Sequence, residues 1–295
     1  MKFGDGFSRH KGRRPVISFE VFPPRTEVAR ARFDRVLPEL AALRPDFMTV
    51  TYGALGSTRD RTLQIASTIR SALGIDAACH LTCVGSTREE IDRILDDIEA
   101  AGIGNIVALR GDPPQGQDEF RAVEGGYGHA IDLVRHIRER GSFDIAVAGY
   151  PEKHTEAPDM DTDLAHLAAK VEAGADVVVT QLFYDNAAYH RFVERARDAG
   201  VGCPIVPGIL PIVSHKQILK ITGMCGATMP QELGARLEEA SDDPEATREI
   251  GVQQAVSQVV ELLENGAPGV HFYVLNRSEH IRRIFEGIPA DLLGR

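Results

Sequence analysis

An acidic residue stands inside a short apolar run near the amino terminus. Glu20 lies within ISFEVF at 17–22, and Pro23 and Pro24 follow the run. Two prolines cannot extend a sheet ladder, so a strand is predicted to end here. A carboxylate in an apolar strand costs free energy unless it is paired or used. We therefore expect Glu20 to be a functional acid, and an edge-strand side chain that faces water is the alternative.

Repetition of this pattern favours the functional interpretation. Seven further β-like runs follow, and most of them end at a glycine or at a polar residue. The polar groups include a second carboxylate, an imidazole, an amide and several hydroxyls, which are the groups that hold protons and bind polar ligands. They are Thr51, His80, Asp112, Tyr150, Gln181 and Tyr273.

The elements between the strands are predicted to be helices. Apolar residues recur at helical spacing at 91, 94, 95 and 98 and again at 164, 167, 168 and 171, and glycines at 74, 102, 141, 174 and 200 follow the helical runs. Eight strands that alternate with helices predict an α/β fold, a single TIM (β/α)8 barrel with parallel strands. A doubly wound open sheet is the competing architecture, but no phosphate-binding glycine fingerprint follows the first strand. The carboxyl ends of barrel strands form one face, so the polar residues are predicted to converge there.

Composition narrows the class of protein. The chain has 295 residues and a formal net charge of −10, which argues against nucleic acid as a partner. No apolar run is long enough to span a bilayer, and a cytoplasmic location is expected. The four cysteines are expected to be reduced thiols, and no metal site is predicted. We expect one catalytic domain over residues 1–295, with a flexible arm at 1–14 that carries a solvated basic cluster.

Two long loops are candidates for lids over the catalytic face. One follows the fourth strand over residues 113–128, and the other follows the fifth strand over residues 151–163. Long loops in compact domains are often functional, and in a barrel these two lie at the active-site end. Ordinary mobile surface loops are the alternative.

Eight short segments, taken in order, form a set that covers nearly the whole chain. They are SFEVFPPR at 18–25, VTYGA at 50–54, HLTC at 80–83, ALRGD at 108–112, YPEKH at 150–154, TQLFYD at 180–185, PGILP at 207–211 and HFYVLNR at 271–277. This set resembles the signatures of the methylenetetrahydrofolate reductase family, in the order in which that family carries them. The resemblance implies reduction of 5,10-methylenetetrahydrofolate to 5-methyltetrahydrofolate, with noncovalent FAD as the cofactor and NADH or NADPH as co-substrate. The regulatory domain of the longer eukaryotic members is expected to be missing.

The resemblance also implies roles for individual residues. Glu20 is implied to be the general acid that opens the folate ring, with a pKa raised by burial and by Asp112 as a neighbouring carboxylate. The residues implied to bind substrate are Gln181, Tyr273, Arg277 and His215. The residues implied to bind FAD are Thr51, His80, Arg110, Gly111, Asp112, Tyr127, Ala148, Tyr150, His154, Asp163, His166 and Lys170, of which Arg110 and Lys170 are charge partners for the pyrophosphate.

Two of these positions depart from the family pattern. His166 stands where an asparagine is frequent, and His215 stands where some members have an aromatic residue that stacks on bound substrate. A homo-oligomer is expected. Two other functions remain open, namely a folate-binding barrel for methyl transfer without flavin and a flavoprotein subunit that an iron–sulfur partner reduces. The flavoprotein subunit differs from a nicotinamide-dependent reductase in its electron donor, so identifying the donor distinguishes the two.

Overall fold

The structure is a computed structural model that describes residues 2–52, 59–112 and 120–294. Two stretches of the motifs discussed above lie outside the described residues. These are positions 53 and 54 of the VTYGA segment and the first part, 113–119, of the long loop after the fourth strand.

The described strands form one sheet in which every neighbouring pair is parallel. Its order is β7-β6-β5-β4-β3-β2-β1-β9-β8. β7 pairs with β6, β8 pairs with β9, and Pro207 alone separates β7 from β8, so one interrupted strand closes the barrel. The predicted TIM barrel is confirmed, and the open doubly wound sheet is excluded. The strands are β1 (Val16–Val21), β2 (Phe47–Val50), β3 (Asp76–Thr82), β4 (Asn105–Leu109), β5 (Asp144–Gly149), β6 (Val177–Thr180), β7 (Ile205–Val206), β8 (Gly208–Ile209) and β9 (Gly269–Tyr273).

The helices begin and end at the signals that their sequences contain. Thr87 and Glu90 form a reciprocal capping box at the start of α4, and Gly141 closes α5 in the left-handed conformation with φ 73°. All five glycines that were predicted to follow helices have positive φ. The helices are α1 (Phe3–His10), α2 (Glu27–Ala41), α3 (Arg59–Leu73), α4 (Arg88–Ala100), α5 (Ala130–Arg140), α6 (Met160–Glu172), α7 (Asn186–Asp198), α8 (His215–Cys225), α9 (Gln231–Glu239), α10 (Pro244–Glu264) and α11 (Glu279–Gly287).

Strand alternation divides the barrel into an outer core and a lumen. Side chains such as Phe19 and Ile106 point outward and pack beneath the helices in the main hydrophobic core. Glu20 points the other way, and the strand register places it opposite Thr49 on β2 and Tyr273 on β9. Glu20, which interrupts an apolar run in the sequence, therefore lies in the lumen of the barrel.

The arm predicted for residues 1–14 is wrong for Phe3–His10, which form α1. Phe3 is 5% exposed and packs on Phe47 with ring centroids 5.1 Å apart. Side-chain oxygens of Asn105 and Asp144 accept the backbone N–H groups of Phe3 and Gly4, each at 2.8 Å. An acceptor at each of these two N–H groups satisfies donors that a helix start leaves free. The helix therefore plugs the amino-terminal end of the barrel.

None of the helices in the described part of the chain is long and apolar enough to cross a membrane.

Candidate active site

The carboxyl ends of the strands meet around a cavity of about 440 Å³. Most of the polar residues that the sequence placed at strand ends line this cavity, although they come from different strands. Convergence follows from the parallel arrangement, because every strand delivers its last residues to the same end of the barrel. The predicted site residues that line it are Glu20, Thr51, His80, Asp112, Ala148, Tyr150, Gln181 and Tyr273.

Two imidazoles flank the Glu20 carboxylate. Its Oε2 lies 3.4 Å from His80 Nε2 and 3.8 Å from His271 Nε2, and the Glu20 side chain is 21% exposed. The other ring nitrogen of His271, Nδ1, lies 2.8 Å from Ser18 Oγ. The hydroxyl of Thr49 lies 3.4 Å from His80 Nε2. Glu20 therefore belongs to a polar cluster drawn from four strands.

This cluster reverses the pKa shift that was expected for Glu20. Burial alone raises the pKa of the carboxyl, but attraction from His271 and His80 outweighs burial and holds it below its usual range. The prediction of a raised pKa with Asp112 as the responsible neighbour is wrong, because imidazoles occupy the positions closest to the carboxylate. Burial lowers the pKa of His80, although Glu20 acts in the opposite direction.

Ser18, Thr49 and His271 were not predicted as site residues. A signal for two of them was available, since Ser18 and Glu20 are two residues apart on β1 and His271 and Tyr273 are two apart on β9. Residues at that spacing share one face of a strand. The contact between Ser18 and His271 joins residues 253 positions apart, however, and only the closed barrel brings them together.

Gln181 and Tyr273 are held in place by backbone groups. Gln181 Oε1 accepts the N–H of Leu182 at 2.9 Å, and Tyr273 Oη donates to the carbonyl of Thr180 at 2.7 Å. Gly208 is required beside them, because a Cβ at that position would lie 2.2 Å from the Thr180 carbonyl oxygen and 2.8 Å from the Tyr273 ring. The glycine of the PGILP segment thus makes room for the tyrosine of the HFYVLNR segment.

A second cavity of about 410 Å³ lies beside the first, over the ends of β4 and β5 and along α6. Leu109, Ala148 and Tyr150 line both cavities, so the two spaces share a wall. The predicted cofactor residues that line the second cavity are Arg110, Ala148, Tyr150, His154, Asp163, His166 and Lys170. The loop over residues 151–163, which was a candidate lid, supplies several of them.

Two positively charged side chains, Arg110 and Lys170, line the second cavity. Arg110 makes a bidentate contact with Glu156, with Nη1 and Nη2 at 2.5 and 2.7 Å from the carboxylate oxygens. Lys170 Nζ donates to the carbonyl of Ala148 at 2.8 Å. Burial lowers the pKa of Lys170 to about 8, although Asp163 acts in the opposite direction. Glu156 was not predicted, and it is the group that holds Arg110 in its present position.

Gly111 sets the direction in which the chain leaves β4. Its φ is 89°, and an added Cβ would lie 2.6 Å from Val84 Cγ1. Only glycine adopts this conformation without strain. The turn lets Arg110 line the second cavity while Asp112 lines the first.

Apart from Gly111, three predicted residues line neither cavity. Tyr127 Oη lies 2.8 Å from His136 Nδ1, and the Arg88 guanidinium lies over its ring at 5.0 Å. His215, the first residue of α8, lies 3.4 Å from a Glu238 carboxylate oxygen.

The third of these residues is Arg277, which follows β9 and is partly buried. Burial lowers the pKa of Arg277, and Arg32 and Arg248 act in the same direction. The structure therefore does not bring Tyr127, His215 or Arg277 to the cluster around Glu20.

Comparison with protein families gives one match over most of the chain. The family model described as methylenetetrahydrofolate reductase matches residues 7–289. "Methylenetetrahydrofolate reductase (NADH) 1" of Arabidopsis thaliana is 44% identical over 272 residues, which is 88% of this chain and 46% of the plant protein. "5,10-methylenetetrahydrofolate reductase" of Escherichia coli K12 is 40% identical over 263 residues, which is 89% of this chain and 87% of the bacterial protein. The chain thus spans about half the length of the plant relative.

Among solved structures, a protein from Clostridium thermocellum described as binding two copies of 5-methyl-5,6,7,8-tetrahydrofolic acid has the same fold. The TM-score is 0.65 at 17% sequence identity, and the match covers 95% of this chain and 96% of the other. At this identity the likeness supports the fold alone.

Proposed function

The chain belongs to the methylenetetrahydrofolate reductase family, and we propose that it reduces 5,10-methylenetetrahydrofolate to 5-methyltetrahydrofolate with electrons from NADH, through noncovalently bound FAD. The observation that carries the proposal is the Glu20 carboxylate between His80 and His271 in a cavity that adjoins a second, cation-lined cavity. The names of the plant relatives support NADH as the donor.

The position and charge of the two cavities fit FAD, with the flavin ring in the first cavity and the pyrophosphate in the second. The cavities adjoin at Leu109, Ala148 and Tyr150, so a ligand that extends past these residues would reach both. Arg110 and Lys170 provide positive charge where a pyrophosphate would lie, and an arginine fork suits phosphate oxygens. Arg110 would then exchange or share its contact with Glu156. A bound flavin supplies the hydride transfer between the two substrates, and the protein supplies position and electrostatics.

The remaining polar groups of the first cavity are suited to a pterin. Gln181 is oriented by the bond from Leu182 to its Oε1, which leaves the amide Nε2 to donate to a ligand. Asp112 lines the same cavity and offers carboxylate oxygens that can accept from pterin N–H groups. Tyr273 is fixed by Thr180 and forms part of the wall beside Glu20.

The reaction consumes one proton for each hydride. Opening the folate ring breaks the bond between N10 and the bridging carbon, N10 takes the proton, and the carbon becomes part of an N5 iminium that accepts the hydride. Glu20 is the group we assign to deliver this proton. Because the two imidazoles hold its pKa low, Glu20 has to take up the proton that it passes to N10 rather than keep one of its own at neutral pH.

Anaerobic mixing of purified protein with NADH, and separately with NADPH, tests the function. We expect yellow protein whose absorbance bleaches faster with NADH and returns on addition of 5,10-methylenetetrahydrofolate. Acid precipitation should release the chromophore, because no covalent bond to the ring is proposed. Colourless protein that binds folate would favour the methyl-transfer barrel. Yellow protein that neither nicotinamide bleaches would favour a subunit reduced by an iron–sulfur partner.

Affinity for FAD should fall at alkaline pH because of Lys170. Its pKa of about 8 means that the ammonium charge is present below pH 8 and is lost above it. If this charge holds the pyrophosphate, the dissociation constant should rise by up to about tenfold per pH unit above 8, until the pKa of Lys170 in the complex is passed. Titration of apoprotein with FAD between pH 6.5 and 9.5, followed by flavin fluorescence, measures this. The Lys170→Met variant should bind weakly at every pH, and an unchanged slope in that variant would contradict the assignment.

A further inference from the structure

The first cavity extends below Glu20 to the helix that plugs the barrel. Its lining includes Phe3 and Phe7 of α1 as well as Glu20 and Asp112 at the other end. The lumen therefore continues from the site to the plug. Four polar residues of the lining lie around the carboxylate and form a polar level, and they are Ser18, Thr49, His80 and His271.

Small side chains occupy some positions of this lumen, beside the bulkier Phe47, Val107 and Val206. The interior of a TIM barrel is normally filled by layers of bulky branched residues. Here Ser18, Thr49 and Ala146 occupy lumen positions on β1, β2 and β5. A water molecule takes about 30 Å³ of liquid volume and needs two to four polar partners to be held. The cavity of about 440 Å³ exceeds the volume of several waters, and the polar level supplies the partners.

We propose that the lumen beneath Glu20 is a water site, held by Ser18, Thr49, His80 and His271, that returns a proton to Glu20 from the side opposite the bound folate. The inference rests on the proposed function. Glu20 takes up a proton from the water and imidazole cluster and passes it to folate N10. The cluster recovers that proton from solvent through the mouth of the cavity when product leaves. Helix α1 closes the other end, with Phe3 and Phe7 in the lining.

The geometry favours this route over exchange with bulk water at the mouth. The imidazoles of His80 and His271 lie 8% and 2% exposed, and both have a ring nitrogen within 4 Å of Glu20 Oε2. Ser18 and Thr49 each lie within hydrogen-bond distance of one of these rings. All four residues therefore connect Glu20 to the lumen, and a folate above Glu20 does not interrupt the connection.

Filling the lumen tests the proposal. Ala146→Val adds two methyl groups to the lumen face of β5, within the apolar cluster that contains Phe3 and Phe47, and so reduces the volume open to water without touching Glu20. Reoxidation by methylenetetrahydrofolate should slow roughly tenfold, less than the ~10² or more expected for loss of the acid itself. Flavin reduction by the nicotinamide donor should stay within about twofold, because hydride transfer needs no proton from the protein. The matched control is Ala77→Val, which adds the same volume on the helix-facing side of β3 and should leave the ratio of the two rates unchanged.

A second variant removes a hydrogen-bonding group of the proposed water site and leaves the volume of the lumen unchanged. Thr49→Val keeps the shape of the side chain and deletes the hydroxyl that lies 3.4 Å from His80. We expect slower reoxidation and a larger solvent deuterium isotope effect on that step alone. A high-resolution crystal structure should show water within hydrogen-bond distance of Ser18 Oγ and Thr49 Oγ1.

Three results would overturn the inference. The first is a crystal structure that shows no water in the lumen. The second is a wild-type rate of reoxidation in Ala146→Val and Thr49→Val proteins that are folded and loaded with FAD. The third is an equal slowing of both half-reactions in these variants. Failure of the proposed function itself looks different, because wild-type protein would then not bleach with a nicotinamide or would not recover with the folate. That outcome would contradict the proposed reductase function, and the water site would then have no proton to deliver to a folate.

Discussion

Replacing Glu20 with glutamine is expected to separate the two halves of the reaction. Bound flavin should still be reduced by the preferred nicotinamide within about tenfold of the wild-type rate, since that hydride transfer takes no proton from the protein. Reoxidation by methylenetetrahydrofolate should fall by roughly 10² to 10⁴, the range typical of a lost general acid. Glutamine keeps the shape of the side chain but cannot carry the proton to N10. Stopped-flow absorbance measures each half-reaction separately.

The same experiment distinguishes a chemical role of Glu20 from a bracing role. A carboxylate that only braces β1 against β3 and β9, through His80 and His271, would, when lost, lower stability or FAD content and slow both half-reactions together. Glu99→Gln is a matched control, because Glu99 lies on α4, away from the cavity, and its carboxylate is 3.7 Å from Arg140. If folate reoxidises the flavin of Glu20→Gln at a rate near that of the wild type, the proposed mechanism is contradicted.

Local sequence signals were sufficient to predict the barrel. Continuous apolar runs predicted the strands, and glycines with positive φ mark the ends of the helices. The interrupted strand also has a local cause. Pro207 has no N–H to give to the ladder, so β7 and β8 are separate, although the Pro207 carbonyl still accepts the N–H of His271 at 2.9 Å.

The amino-terminal helix was missed because one signal obscured another. The basic residues of positions 9–14 suggested a solvated arm, whereas Phe3 and Phe7, one helical turn apart, provide the apolar face that enters the barrel. Their partners, Phe47, Asn105 and Asp144, are distant in sequence. A short amphipathic helix acquires its stability from such tertiary contacts, which no local pattern reveals.

Convergence of the site residues followed from topology, but their electrostatics did not. Parallel strands guarantee that Glu20, Asp112 and Gln181 approach the same end of the barrel. The direction of a pKa shift depends instead on which groups lie within a few ångströms, and at Glu20 these are His80 and His271. The contact of Arg110 with Glu156 is another long-range pairing that the motifs did not indicate.

Removing the Gln181 side chain should affect the folate half-reaction and spare the nicotinamide half-reaction. The structure fixes the amide by the bond from the Leu182 N–H to Oε1 at 2.9 Å, so Nε2 is oriented before a ligand arrives. Hydrogen bonds from this amide to a pterin are worth roughly 1 to 3 kcal/mol. Gln181→Ala should therefore slow reoxidation at limiting folate about ten- to a hundredfold, while bleaching by NADH stays within about threefold because that step needs positioning of a different ligand.

The control for Gln181→Ala is Gln253→Ala, which removes an amide on the exposed side of α10, where it contacts Glu249 and Arg236. Both half-reactions should be unchanged in that variant. Equal losses in the two half-reactions of Gln181→Ala would mean that Gln181 supports the cavity wall rather than the substrate. Together with Glu20→Gln, the comparison separates binding from proton delivery, because loss of an amide contact is partly overcome by a higher folate concentration and loss of the acid is not.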